Sequence, residues 1–161
     1  MKRWIKEHRI LATLIPVLLV MGMIFCFSAQ TGEDSGSLSG EITRFVVRLF
    51  VPDFDAFASQ TQEEICATVG LVVRKMAHFS EFFLLGFCLM LHIDAIGRKI
   101  TLKLPWLMAW GVGALYALTD EFHQMFVGGR HPALLDVVID SAGVLAGVLV
   151  MLAILHREKK K

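Results

Sequence analysis

The chain has 161 residues, 55% of them hydrophobic and 19% charged, with a mean hydropathy of +0.61 and a formal net charge of +1. A soluble domain is nearer ~45–50% apolar and ~25% charged, and the apolar excess here is gathered into runs, so lipid is the expected solvent. The near-zero charge, with no basic stripe interleaved with aromatics, argues against nucleic acid as a partner. Cys26, Cys66 and Cys88 show no CxxC spacing, which fits neither a disulfide framework nor a zinc motif.

Residues 1–9 (MKRWIKEHR) make a basic start, and the next 23 residues, 10–32, carry no charge. A membrane helix needs about 20 mostly apolar residues, so a first span is predicted over 10–30. The apolar region is longer than the ~7–15 residues of a signal peptide, and Phe27-Ser28-Ala29-Gln30 is a poor cleavage site, which favours retention. Residues 28–40 (SAQTGEDSGSLSG) read as a polar loop. Ile42, Phe45, Val46, Leu49 and Phe50 then fall on one helical face that Pro52 ends. This short amphipathic helix would lie on the membrane surface or pack on the other spans.

Thr61-x-x-Glu64 is a capping-box pattern that marks the next helix start. A second span is predicted over 71–96, a short basic loop over 97–103, and a third span over 105–125 opened by Pro105. A turn around Gly128-Gly129 leads to a fourth span over 133–155 and a basic tail. The expectation is a single all-α, polytopic membrane domain over 1–161 with four transmembrane helices. An extracytoplasmic loop, 31–70, would carry one or two short amphipathic helices. Lysine and arginine bias puts both termini and the 97–103 loop on the cytoplasmic side of a bacterial inner membrane.

The ionisable residues of the last three spans share one end. Arg74, Lys75, His78 and Glu81 lie in the first half of the second span; Asp120, Glu121, His123 and Gln124 end the third; Asp136 and Asp140 begin the fourth. At about 100° per residue, Arg74, Lys75, His78 and Glu81 cover one narrow face, and Tyr116, Asp120, His123 and Gln124 another. Asp136 and Asp140 share theirs with Gly143 and Gly147, a small-xxx-small pattern that lets helices approach closely. An ionised side chain near mid-bilayer costs about 2.5–3.5 kcal/mol even on the mildest scale, so intramembrane charges are functional candidates. The bland alternative is a buried ion network that only locks the helices. Such networks are poor stabilisers, because replacing them by apolar packing is often neutral or favourable. His92 and His131 stand apart from the set and read as structural.

Several chemistries stay open. His78, Glu81, Asp120, Glu121 and His123 are candidates for proton handling, since burial tunes acid–base groups. Lys75, Gln124, Arg130, Asp136 and Asp140 are candidates for binding, with Lys75 and Arg130 suited to an anion. There is no GxSxG and no cysteine near the cluster to serve as a nucleophile. Nitrogen and oxygen ligands for a divalent metal are present, but HExxH is absent and cations lie nearby, so no metal or other cofactor is expected from motifs. Whether the pocket is an enzyme is left open.

Phe27-Ser28-Ala29-Gln30, Arg74-Lys75-x-x-His78-Phe79-x-Glu81, Leu85-Gly86, Asp120-Glu121-x-His123-Gln124, Gly129-Arg130, Asp136-Val137-x-x-Asp140 and Gly143 together resemble the VanZ-like membrane proteins over nearly the full length. Phe82 stands where that family often has tyrosine and Gly128 where it often has proline. The resemblance implies a cell-envelope membrane protein associated with lowered susceptibility to teicoplanin-type glycopeptide antibiotics, and it implies no agreed reaction. The resulting expectation is an outward-facing charged pocket that binds or modifies an anionic or lipid-linked envelope molecule. The alternatives are a non-enzymatic module held together by its charges, or a small transporter or proton relay, for which a second polar cluster is lacking.

Overall fold

The computed structural model describes residues 8–97, 102–130 and 133–160. The described residues form five α-helices: α1 (Arg9–Ser28), α2 (Gly32–Phe50), α3 (Ser59–Gly97), α4 (Pro105–Gln124) and α5 (Leu134–Lys159). A 3-10 turn, Phe54–Ala56, joins α2 to α3. His131 and most of the basic segments used to assign orientation lie outside the described residues.

The long helices pack side by side, and their contacts give their directions. Thr13 of α1 meets His92 of α3, while Phe27 and Gln30 share a cavity with Arg74 and His78, so α1 and α3 run antiparallel. Met21 meets Tyr116 and Ser28 meets Asp120, so α1 and α4 run parallel. Lys75 meets Asp136, and Phe79 and Phe83 back onto Gly143 and Gly147, so α3 and α5 run parallel. The centre is apolar: Ile24 of α1, Phe82, Leu85 and Leu89 of α3, Ala117 of α4, and Val144 and Val148 of α5 are all buried.

Glycine sets the closest contact. A Cβ on Gly86 would collide with the Val144 carbonyl, one on Gly143 with the Phe79 carbonyl, and one on Gly147 with the Phe83 carbonyl and the Phe87 nitrogen. The α3 and α5 backbones therefore touch along three positions where no side chain fits, the close approach expected of small residues in a membrane interface. This contact holds Asp136 and Asp140, two turns and one turn before Gly143, against the charged face of α3.

Three described helices are long and apolar enough to cross a membrane: Arg9–Ser28, Ser59–Gly97 and Leu134–Glu158. The expected count of four is not met on composition, because α4 dilutes its apolar residues with Asp120, Glu121, His123 and Gln124 in its last turn. Large apolar side chains point outward on all four long helices, among them Leu19, Leu84, Leu115 and Val138, as lipid contact requires and water would penalise.

Two boundaries differ from the sequence reading. The second span was placed at 71–96, but α3 begins at Ser59 and is 39 residues long, roughly 58 Å at ~1.5 Å per residue. Its polar first third lies outside the apolar run, and the Thr61-x-x-Glu64 capping pattern marks its start to within two residues. The 28–40 loop is shorter than expected, because α2 starts at Gly32. There the poor helix formers find internal partners: Ser39 Oγ donates to the Gly36 carbonyl and Thr43 Oγ1 to the Ser39 carbonyl. The predicted apolar face of α2 is not the packed one. Thr43 and Val47 are buried, with Thr43 facing Gly70 of α3, whereas Ile42, Phe45, Leu49 and Phe50 are exposed.

Candidate functional site

The polar end of the bundle is built by four helices and one turn. The α1 contribution was absent from the sequence reading. Ser28, at the end of α1, donates from Oγ to Asp120 Oδ2 at 2.7 Å. Gln124, one turn beyond Asp120 on α4, donates from Nε2 to the same oxygen at 2.9 Å. All three side chains are buried. A carboxylate accepting two donors in a dry setting is held in one orientation. The available signal for Ser28 was a lone hydroxyl closing an otherwise apolar span.

The turn after α4 is closed by Arg130 N–H donating to the Val127 carbonyl at 3.2 Å. Gly129 has φ 74°, a left-handed conformation that favours glycine. The reversal sends Arg130 back over the bundle. Its guanidinium donates to the Phe27 carbonyl at 3.0 Å, the Gln30 carbonyl at 3.2 Å and Gln124 Oε1 at 3.3 Å. Burial first, then the like charge of Arg74, hold the Arg130 guanidinium below its ordinary pKa. It remains a cation, since arginine is effectively always protonated.

On α3, Lys75 forms an ion pair with Asp136 of α5. Lys75 was expected to hold an anion, but its charge is taken up by that carboxylate, and Arg74 is the second guanidinium facing the cavity. Arg74, His78, Glu81 and Arg130 line a cavity of about 220 Å³ that also touches Phe27 and Ile42. The Nε of Arg74 and the Nδ1 of His78 are buried there without a hydrogen-bond partner among the described residues. Asp140 of α5 is wholly buried, and neither of its oxygens has a hydrogen-bond partner among the described residues. One ligand-capable atom each from His78, Asp120 and Asp140 lies within 4.8 Å of the others.

Two candidates stand away from this centre. Glu121 is one residue past Asp120 and so about 100° round the helix. It accepts the Ala133 N–H at 3.2 Å, just before α5 begins. A carboxylate there satisfies an orphan amide and suits the positive end of the helix dipole. His123 stacks on Phe25 of α1 with ring centroids 4.7 Å apart, and its Nε2 is buried without a hydrogen-bond partner among the described residues. The convergent set is therefore His78, Glu81, Asp120, Gln124, Arg130 and Asp140, with Arg74 and Ser28 added and Lys75 and Asp136 paired beside it.

The opposite end of the bundle is sparsely polar. Thr13 Oγ1 and His92 Nδ1 are 3.0 Å apart, and Arg9 and Asp94 form a 3.7 Å ion pair. His92 is 14 residues from His78 along α3, roughly 21 Å at ~1.5 Å per residue. Phe82, Leu85 and Leu89 are buried in the interval.

Residues 13–156 match the VanZ/LLP1 family. The chain belongs to the VanZ/LLP1 family. No curated protein and no solved structure matches it. The family match spans every residue of the polar end and the three glycines that hold α3 to α5, so the VanZ/LLP1 region includes the whole of this site.

Proposed function

We propose that this VanZ/LLP1 chain is a four-pass protein of the bacterial cell envelope whose polar end faces outward and binds an anionic envelope molecule. The observation that carries the reading is that Arg74 and Arg130, both guanidiniums, line one cavity with His78 and Glu81. Two like charges in one half-open, largely apolar cavity repel, and an anion between them relieves that repulsion. Phe27 and Ile42 at the same cavity suit an acyl or isoprenoid stem on the anion, so a lipid-linked phosphate or carboxylate fits better than a free ion.

Four crossings are supported by packing. α4 is 20 residues long, lies parallel to α1, and carries Leu107, Val112, Leu115 and Leu118 outward. With four crossings both chain ends lie on one side, and the basic start, the 97–103 loop and the basic tail agree on the cytoplasm. The polar end is then extracytoplasmic. A proton relay fits less well, because the apolar side chains of Phe82, Leu85 and Leu89 are buried in the interval between His78 and His92.

The test is susceptibility to teicoplanin in cells that carry or lack the gene, with the amount of folded protein in the membrane measured alongside. Arg74→Gln is expected to abolish any protection while leaving the folded amount near the wild-type level, since Arg74 Nε has no partner to lose. Protection equal to wild type in Arg74→Gln would remove the anion reading. A parallel fall of protein and protection would assign Arg74 to holding the bundle.

A further inference from the structure

The geometry points to a divalent metal-ion site formed by His78, Asp120 and Asp140, suited to a borderline first-row cation such as Zn2+ or Mn2+. Asp140 carries the inference. A wholly buried carboxylate with neither oxygen hydrogen-bonded is rare, because desolvation without a partner costs far more than a hydrogen bond returns. His78 beside it has a buried Nδ1 in the same unpartnered state. The two unpartnered groups and Asp120 bring their ligand atoms to within 4.8 Å of one another. Ligands bonded at ~2.0–2.2 Å in a tetrahedral site lie roughly 3.3–3.6 Å apart, so a contraction of up to about 1.5 Å completes the set.

Charge balance agrees. Asp140 lies within electrostatic reach of four other carboxylates, those of Asp120, Glu121, Asp136 and Glu81. Three side-chain cations, Arg74, Lys75 and Arg130, face this group, so with all five carboxylates ionised, Glu121 at the edge included, and the histidines neutral, the cluster would be two charges short. One divalent ion supplies that difference. The cations do not block it: Lys75 is paired with Asp136, and Arg130 is spread over two carbonyls and an amide oxygen.

The donor set names the ion class. Two carboxylates favour a hard cation and the imidazole a softer one, and both are met by zinc or manganese rather than by calcium or magnesium. The Ser28 and Gln124 donors on one oxygen of Asp120 are the outer contacts that orient a ligating carboxylate. Three protein ligands leave positions open, and His78 places the site at the wall of the cavity between Arg74 and Arg130. The inference stands apart from the anion reading, because the ion is counted on purified protein with no lipid ligand added.

Tag-free protein in detergent is stripped with chelator, reloaded with Zn2+ or Mn2+, desalted, and measured by elemental analysis and by thermal unfolding. About one retained ion per chain is expected, with a rise in Tm of several degrees that tracks ion concentration. Asp140→Asn and His78→Gln should each lose the ion and the rise, and Asp55→Asn, on the exposed 3-10 turn, should keep both. Asp140→Asn should equal or exceed wild type in Tm in chelator and fall below it in metal, a crossing that a purely structural carboxylate does not produce. Failure of wild type to retain either ion, or full retention by Asp140→Asn, would overturn the site. If Asp140→Asn does not fold, His78→Gln and the wild-type titration decide by the same criteria.

Discussion

Gly147→Ala should sharply reduce the amount of folded protein recovered from membranes and its thermal stability in detergent. The added methyl would sit against the Phe83 carbonyl and the Phe87 nitrogen, and neither can rotate away as a side chain would. Overpacking costs about 1–3 kcal/mol where neighbours can adjust, and a backbone neighbour belongs at or above the top of that range. Gly143→Ala should act similarly through the Phe79 carbonyl. Gly22→Ala, in α1 with open space around its Cα, should be neutral or slightly favourable. The comparison of these three by size-exclusion profile and Tm separates helix contact from helix propensity. Equal behaviour of Gly147→Ala and Gly22→Ala would mean that α3 and α5 are not in backbone contact.

Asp120→Ala is expected to destabilise the protein by about 2–6 kcal/mol, because two buried donors lose their common acceptor at about 1–3 kcal/mol each. Ser28 Oγ and Gln124 Nε2 both depend on Asp120 Oδ2, and both residues are buried at the join of α1 and α4. Asp120→Asn keeps an acceptor oxygen, so its cost should fall nearer the ~0.5–1.5 kcal/mol of one ordinary hydrogen bond. Function should be lost in both, since the charge and the metal-ligand capacity go in either case. Reversible unfolding of the two variants in detergent, set beside the susceptibility assay, checks the split between stability and function. Equal destabilisation by Ala and Asn would show that the charge, and not the acceptor geometry, holds α1 to α4.

Much of this arrangement was legible from spacing. Residues 10–30, 105–125 and 133–155 correspond closely to Arg9–Ser28, Pro105–Gln124 and Leu134–Lys159, because an apolar helix announces both ends by a change of polarity. The apolar run at 71–96 is the later part of α3; the start at Ser59 was legible from the Thr61-x-x-Glu64 capping pattern and not from hydropathy, which reports where lipid is, not where a helix begins. Asp136, Asp140 and Gly143 were placed on one packed face because their spacing fits the helical repeat, and the α3–α5 contact depends on that face. The pairing itself was not legible. Lys75 looked like an anion holder until Asp136 was seen beside it, and one residue of offset turned Glu121 from the cavity to the start of α5. Ser28 was hidden for a further reason: which face of α1 meets α4 depends on the relative rotation of two helices, which local periodicity does not encode.

The most direct measurement of the anion-binding cavity is native mass spectrometry of the detergent-purified protein, incubated in turn with phosphatidylglycerol and phosphatidylcholine as anionic and zwitterionic probes. Wild type should retain the anionic lipid in preference to the zwitterionic one by about tenfold or more, the ~1.4 kcal/mol that a single charge-assisted contact readily supplies. The Arg74→Gln/Arg130→Gln double variant should lose the preference, with a lower Tm from the lost Arg130 hydrogen bonds, and Arg74→Gln alone should lose most of the preference while keeping Tm within a few degrees. Equal retention of both lipids by wild type, or an undiminished preference in the double variant, would contradict an anion held between Arg74 and Arg130.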